Sequence, residues 1–370
     1  MLPKNRILIL YSNYGEGHLQ AARAIQEAAE RKEGWQATLL DMMECSHPWV
    51  HSISQPLFIK GVSSFPRLYG HLYKITKKQD TPYLVKQFLR TGLKRMKMWL
   101  DEVNPTMVIS TFPFAAAAMS LMKAYGLTSI PTATLITDYC DHRSWIHPYT
   151  DRYFVGSRDV FNDLSEKWVS QDRIRITGIP VRPVFQRQYN VSSLKQQLGL
   201  RTDLPTLLVM GGGYGMIGDG VYGALESMDK MLQVIIICGK NEKRRRNMEE
   251  TFAHSKHHVL TKGYVYNIHE WMAASDLLLT KPGGSTISEA LSMNLPMLLY
   301  QALPGQEQAN ADFLCRCRVA IEAKNNRELG YWLDSMISHP SLRTTMKQRM
   351  RDFHASSSTD QILEQITQFA

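Results

Sequence analysis

The chain has no run of about 18 consecutive apolar residues, the length a helix needs to cross a bilayer, so no transmembrane helix is expected. Its start, "MLPKNRILILYSNYGEGH", carries an apolar stretch too short, and too soon followed by polar residues, for a signal peptide; a first β-strand is expected there instead. There is no G-x-x-x-x-G-K-[ST] loop, which argues against an ATPase. There is no D-x-D pair of the kind that holds a divalent cation on a nucleotide diphosphate, so no metal is expected. Cysteine is scarce: Cys45, Cys140, Cys238, Cys315 and Cys317, with no export signal, suggest free thiols in a reducing cytosol. The C-x-C formed by Cys315 and Cys317 lacks a second pair or a histidine cluster, and is read as ordinary helix rather than a zinc site.

What is present describes an ordinary globular protein: 370 residues, 44% hydrophobic and 21% charged. That length exceeds one compact core, and two domains of roughly 150 to 200 residues are expected. The net charge of +9 is unevenly spread. Residues 1–185 hold 23 Lys and Arg against 16 Asp and Glu, whereas the remainder holds 20 against 18. Within 60–97 lie Lys60, Arg67, Lys74, Lys77, Lys78, Lys86, Arg90, Lys94, Arg95 and Lys97, with Asp80 the one acid. Phe58, Phe65, Tyr69, Tyr73, Tyr83, Phe88 and Trp99 are interleaved with them. Such a stretch can meet an anionic membrane surface or nucleic acid, or be a solvated helix face. Nucleic acid is disfavoured because the second half is nearly neutral and no recognised module occurs.

Strand-length apolar runs alternate with helical patterns. They occur at 6–12, 37–42, 107–111, 132–138, 151–157 and 173–178, then at 205–212, 232–239, 258–265, 276–281 and 295–301. Continuous apolar strands separated by helices predict parallel sheets covered on both faces. The segment 178–190, with Pro180 and Pro183, reads as a linker. The expected architecture is α/β: two Rossmann-like, doubly wound parallel-sheet domains facing across a cleft, 1–185 and 186–370, the last helix packing back on the first domain. Open sheets of this kind bind ligands at the carboxyl ends of their strands.

Four motifs fall at such ends. In "YSNYGEGH" (11–18), Gly15 and Gly17 predict a tight turn into a helix whose start favours an anion. His18 there is held neutral by the helix dipole, as a base requires, or merely caps the helix. In "LLVMGGGYGMIGDG" (207–220), Gly213, Gly215 and Gly218 match G-x-G-x-x-G, but the next strand ends in Cys238-Gly239-Lys240 with no acid for a ribose. NAD therefore yields to a loop that approaches a diphosphate. In "TKPGGSTISEA" (280–290), Gly283 and Gly284 predict an unusual turn, Ser285 and Thr286 offer an N-cap, and Glu289 can accept both hydroxyls of a ribose or simply favour the helix start. In "LPGQEQAN" (303–310), Gln306, Glu307 and Asn310 suit sugar hydroxyls.

These motifs, with "TDYCDHRSWIHP" (137–148) and "GIPVRPVF" (178–185), occur in an order that resembles the bacterial processive diacylglycerol glucosyltransferases and plant monogalactosyldiacylglycerol synthases, family 28 glycosyltransferases of the GT-B fold. More distantly the chain is similar to the lipid-linked N-acetylglucosaminyltransferase of peptidoglycan synthesis. The resemblance implies an inverting transferase that moves a hexose from a UDP-sugar to a lipid hydroxyl, probably diacylglycerol, with no cofactor beyond the UDP-hexose co-substrate. It implies His18 as base, and Gly211, Gly212, Gly213, Gly283, Gly284 and Thr286 against the donor. Tyr264 and Val265 would frame the uracil, Glu289 would hold the ribose, and Gln306, Glu307 and Asn310 would lie at the sugar. It implies acceptor-side or structural roles for Gly15, Gly17, Asp138, His142 and Trp145. It makes the basic aromatic segment 47–99 a membrane contact, which places the protein in the cytoplasm, peripheral on the inner face of the cell membrane. A UDP-sugar 2-epimerase of the same fold, and a non-catalytic membrane-surface or nucleotide-sugar-binding protein, are the alternatives.

Overall fold

The computed structural model describes residues 4–54, 82–213, 215, 218, 220–353 and 358–367. The chain divides into two compact units, one of Met1–Pro183, Pro304–Gln306 and Ser356–Ala370, the other of Val184–Leu303 and Glu307–Ala355.

The first unit runs β1 (Asn5–Tyr11), α1 (Glu16–Ala29), β2 (Trp35–Asp41), α2 (Met42–Ser46), α3 (Tyr83–Val103), β3 (Met107–Ser110), α4 (Pro113–Ala124), β4 (Thr132–Leu135), β5 (Arg152–Val155), α5 (Arg158–Lys167) and β6 (Ile174–Ile176). Its six strands pair in the order β2-β1-β3-β4-β5-β6, all parallel. Because side chains alternate along a strand, Ile7 and Ile9 face one side of the sheet and Leu8 and Leu10 the other. Ala21, Ala22, Ile25, Ala28 and Ala29 of α1 cover the first side; Leu89, Leu93, Met96 and Leu100 of α3 cover the second. Both faces are thus buried, which is why β1 reads as a continuous apolar run. Each such Leu or Ile contributes about 1.5–3 kcal/mol by leaving water.

The second unit repeats the rhythm: α6 (Val191–Gln197), β7 (Thr206–Met210), α7 (Gly220–Glu226), β8 (Gln233–Ile237), α8 (Glu242–Thr251), β9 (His258–Lys262), α9 (Ile268–Ala273), β10 (Leu277–Thr280), α10 (Gly284–Ser292), β11 (Met297–Tyr300), α11 (Gln306–Arg316), β12 (Ala320–Ala323), α12 (Asn326–Ser338) and α13 (Pro340–Phe353). Its strand order is β12-β11-β10-β7-β8-β9, again parallel throughout. The closing helix α14 (Ser358–Thr367) belongs to the first unit, where Ile362, Leu363 and Ile366 join the core beside α1.

All eleven strands expected from sequence are present. The twelfth, β12, went unrecognised because "AIEA" is short and carries Glu322. In each sheet the winding direction reverses once: between β1 and β3 in the first unit, and between β7 and β10 in the second. The strand ends at those two switch points are where an open α/β sheet offers a site.

Candidate active site

At the first switch point the chain leaves β1 and enters α1 with Gly15 as N-cap and His18 two residues past the first helical position. Thr111, just beyond β3, donates its hydroxyl to the His18 backbone carbonyl at 3.0 Å, so neighbouring strand ends pin the base of the histidine. Thr137, just beyond β4 and 4% exposed, brings its hydroxyl to 3.2 Å from His18 Nδ1. Two aromatic rings flank the imidazole: Phe112 edge-on at 5.2 Å and Trp145 tilted at 5.9 Å. Tyr14 stacks on Phe112, with ring centroids 5.9 Å apart. This apolar enclosure pushes the imidazole down to about 4, a trend a backbone hydrogen bond at Thr111 only partly opposes. His18 is therefore neutral at ordinary pH, as a proton acceptor must be.

The structure corrects the reading of the glycines beside it. Neither Gly15 nor Gly17 has a positive φ, and α1 starts at Glu16, so Gly17 is helical rather than part of a tight turn. A Cβ at either would meet nothing within 4 Å. Of the remaining acceptor-side candidates, Trp145 is brought to His18, and Asp138 lies half-buried beside Thr137. His142 is 8% exposed, and its Nδ1 accepts from the Ser144 amide at 3.1 Å and from the Ser144 hydroxyl, capping the short turn that carries Trp145.

At the second switch point three motifs converge. The loop after β7 turns through Gly212, whose φ is +69°, and closes with the Gly215 amide donating to the Gly212 carbonyl at 3.0 Å. The Gly213 carbonyl accepts from the Lys240 amide at 3.0 Å, tying this loop, with Gly211 at its start, to the end of β8. Lys240 in turn places its ammonium 5.3 Å from the centroid of the Tyr264 ring, and Val265 follows half-buried after β9. Lys281, first residue beyond β10, forms an ion pair with Glu307 at 2.6 Å, and the other Glu307 oxygen accepts from the Leu303 amide at 3.0 Å. Asn310, fully buried, donates to the Pro282 carbonyl at 3.1 Å and so steadies the 281–284 turn.

Here too expectations need correction. The N-cap of α10 is Gly283 in ordinary extended backbone, with no side-chain cap; Ser285 and Thr286 lie inside the first turn with Gly284, and the turn is not an unusual one. The helix therefore opens on amides that no side chain caps. Glu289 lies beyond that first turn and is 7% exposed, so it is not the solvated charge that would simply favour a helix start. Gln306 opens α11.

Sequence reasoning missed Thr137 and Lys281, although both stood inside quoted motifs. The available signal was position: each is a polar residue at the carboxyl end of a buried strand. Among the described residues no group of three His, Cys, Asp or Glu could hold a metal ion. Lys60, Arg67, Lys74, Lys77 and Lys78 lie outside the described residues. Lys86, Arg90, Lys94 and Arg95 are exposed on α3, while Lys97 pairs with Asp101. Trp49 is 83% exposed, Tyr83 72% and Leu84 79%. Among the described residues no helix is long and apolar enough to cross a membrane.

The profile of monogalactosyldiacylglycerol synthase matches residues 18–181, and that of the glycosyltransferase family 28 C-terminal domain matches 206–366. A processive diacylglycerol beta-glucosyltransferase of Bacillus subtilis (strain 168) is 30% identical over 368 residues, 99% of this chain and 96% of that one. The chain belongs to the processive diacylglycerol glucosyltransferase and monogalactosyldiacylglycerol synthase family. A homologous enzyme of Bacillus pumilus (strain SAFR-032) is 29% identical, with 100% of this chain and 96% of that one aligned. Among solved structures, MurG of Acinetobacter baumannii matches with a TM-score of 0.65 at 15% identity, over 98% of this chain and 99% of that one. A UDP-GlcNAc 2-epimerase from Neisseria meningitidis bound to UDP-GlcNAc also reaches 0.65, at 12% identity, over 98% of this chain and 100% of that one. At such identities these structures speak for the GT-B fold alone. Family membership makes this glycosyltransferase an enzyme, with His18 at the first residue of the synthase match.

Proposed function

We propose that this glycosyltransferase moves a hexose from a UDP-sugar to the hydroxyl of a lipid, diacylglycerol, and so makes a β-glycosyl glycolipid. The observation that carries this reading is a neutral, ring-enclosed His18 at the first switch point of a chain related over its whole length to diacylglycerol β-glucosyltransferases. Nδ1 is in hydrogen-bond contact with the Thr137 hydroxyl, and the tautomer that carries its proton on Nδ1 leaves the lone pair on Nε2. The acceptor oxygen attacks the anomeric carbon from the face opposite UDP, its proton passes to Nε2, and the bond from carbon to the diphosphate oxygen breaks with its electron pair on UDP. The configuration inverts.

In the second unit Glu289 holds the ribose, the Gly211–Gly213 loop and the first turn of α10 (Gly283, Gly284, Thr286) receive the diphosphate, and Tyr264 and Val265 frame the base; Gln306, at the start of α11, meets the sugar. No divalent cation takes part, since the chain has no D-x-D pair; full turnover in excess EDTA is expected. The enzyme works as a peripheral protein on the inner, anionic face of the cell membrane. The exposed Trp49, Tyr83 and Leu84 beside Lys86, Arg90, Lys94 and Arg95 favour this, as apolar groups anchor where basic groups attract.

The deciding experiment incubates the protein with a panel of UDP-sugars and membrane lipids and identifies the product by mass. A β-hexosyl diacylglycerol is expected; sugar release without a glycolipid would refute the acceptor. Sedimentation with anionic vesicles, weakening as salt rises, tests the membrane contact.

A further inference from the structure

We infer that Lys281 is the cation that receives the diphosphate of the donor, and that Glu307 positions it rather than binding the sugar. The inference rests on reading the second unit as the UDP-sugar site. Four observations carry it. First, Lys281 stands at the carboxyl end of β10, and β10 and β7 are the neighbours between which the winding reverses. Second, its side chain runs beneath the glycine-rich turn. A Cβ added to Gly212 would lie 3.1 Å from Lys281 Cε and 3.9 Å from Nζ, so the backbone that would face a diphosphate has the ammonium against it.

Third, the ammonium is held rather than solvated. Glu307 Oε1 lies 2.6 Å away, and the two side chains are only 16% and 11% exposed. Fourth, the residue is fixed at its backbone as well. The Lys281 carbonyl accepts from the Gly283 amide at 2.9 Å, and Asn310 anchors the next carbonyl, that of Pro282. A lysine so confined loses little rotamer freedom on binding a ligand.

The chemistry follows from donor and acceptor arithmetic. An ammonium has three N–H donors and Glu307 takes one, so the group can still donate to phosphate oxygens. Both Glu307 oxygens are engaged, one on Lys281 and one on the Leu303 amide. Held at both oxygens, the carboxylate is fixed in place to orient a cation. A buried ion pair returns little net stability against an apolar replacement, so stability alone is a weak reason for this one. When the anomeric bond breaks, the electron pair stays on the diphosphate oxygen, and a fixed cation at that point is worth most in the transition state.

The test is a binding series with UMP, UDP and UDP-glucose on wild type, Lys281→Met, Lys281→Arg and Glu307→Gln, each first shown to melt like wild type. Lys281→Met should weaken UDP about tenfold or more, the usual weight of a charged hydrogen bond, while leaving UMP within about twofold. Turnover should fall with it, and Lys281→Arg should restore part of both. Glu307→Gln should reproduce the loss on UDP. If Lys281→Met weakens UMP and UDP alike, or neither, Lys281 is a structural tie and the inference is wrong. If Glu307→Gln weakens UDP-glucose alone, Glu307 is a sugar ligand and the positioning role is refuted. Wild-type protein that binds none of the three would instead overturn the donor-site reading beneath it.

Discussion

At the end of β7, Gly215 turns back with φ +62° so closely that a Cβ would lie 2.1 Å from the Cys238 carbonyl oxygen. Gly239, with φ +58°, is as tightly placed: a Cβ there would lie 2.3 Å from the Gly213 carbonyl oxygen. At the ends of β1 and β10, by contrast, Gly15, Gly17 and Gly283 have no positive φ and open space where a Cβ would stand. All of these glycines lie at or next to strand-to-helix junctions and look alike as letters. The first pair is required by backbone packing. The others are not required by the fold at all, and what they leave is room above a helix start whose amides no side chain caps. The difference separates glycines that close backbone packing demands from glycines that leave open space.

The sharpest test of that division lies on the open side. His18→Ala should cut kcat by roughly 10²–10⁴-fold, the usual worth of a positioned base, with UDP affinity unchanged by titration. An equal loss of both would remove His18 from the role. The acid limb of kcat should fall near pH 4 rather than at the usual 6.5, because burial holds the imidazole neutral until then and only protonation below that point destroys the base. A limb near 6.5 would mean that water reaches the ring in the working enzyme.

On the packed side, Gly215→Ala should cost about 2–5 kcal/mol, the left-handed penalty plus the overlap with Cys238, read as a fall in melting temperature. A variant as stable as wild type would break the comparison. Glu289→Ala should weaken UDP-sugar about tenfold, since a charge-assisted hydrogen bond is lost; unchanged donor affinity would sink the ribose assignment. The smallest effect belongs to Gly283→Ala. Its backbone suits alanine, so stability should hold or rise by about 0.4–1 kcal/mol while UDP binding weakens severalfold. Weakened folding there would put Gly283 with Gly215.

Much of this was legible before any fold was known. Strands buried on both faces announce themselves as apolar runs, and eleven of twelve did. β12 escaped because four residues with an internal glutamate carry too little signal. The candidate motifs were legible in the sequence, but the partners of their side chains were not. Glu307 stands beside Gln306 in the chain, and its partners in the fold are Lys281 and a backbone amide. Ser285 and Thr286 read as caps, yet the N-cap is Gly283 and the helix starts at Gly284.

Sequence by itself determined the α/β class, eleven of the twelve strand positions and the family, because these follow from local pattern and ordered motifs. Only the tertiary structure decided which residues meet. Thr137 lies 119 positions from His18, and Lys281 lies 26 from Glu307. Parallel strands bring such residues together only through crossovers, and it is the strand order, β4 next but one to β1 and β10 beside β11, that chooses the partners.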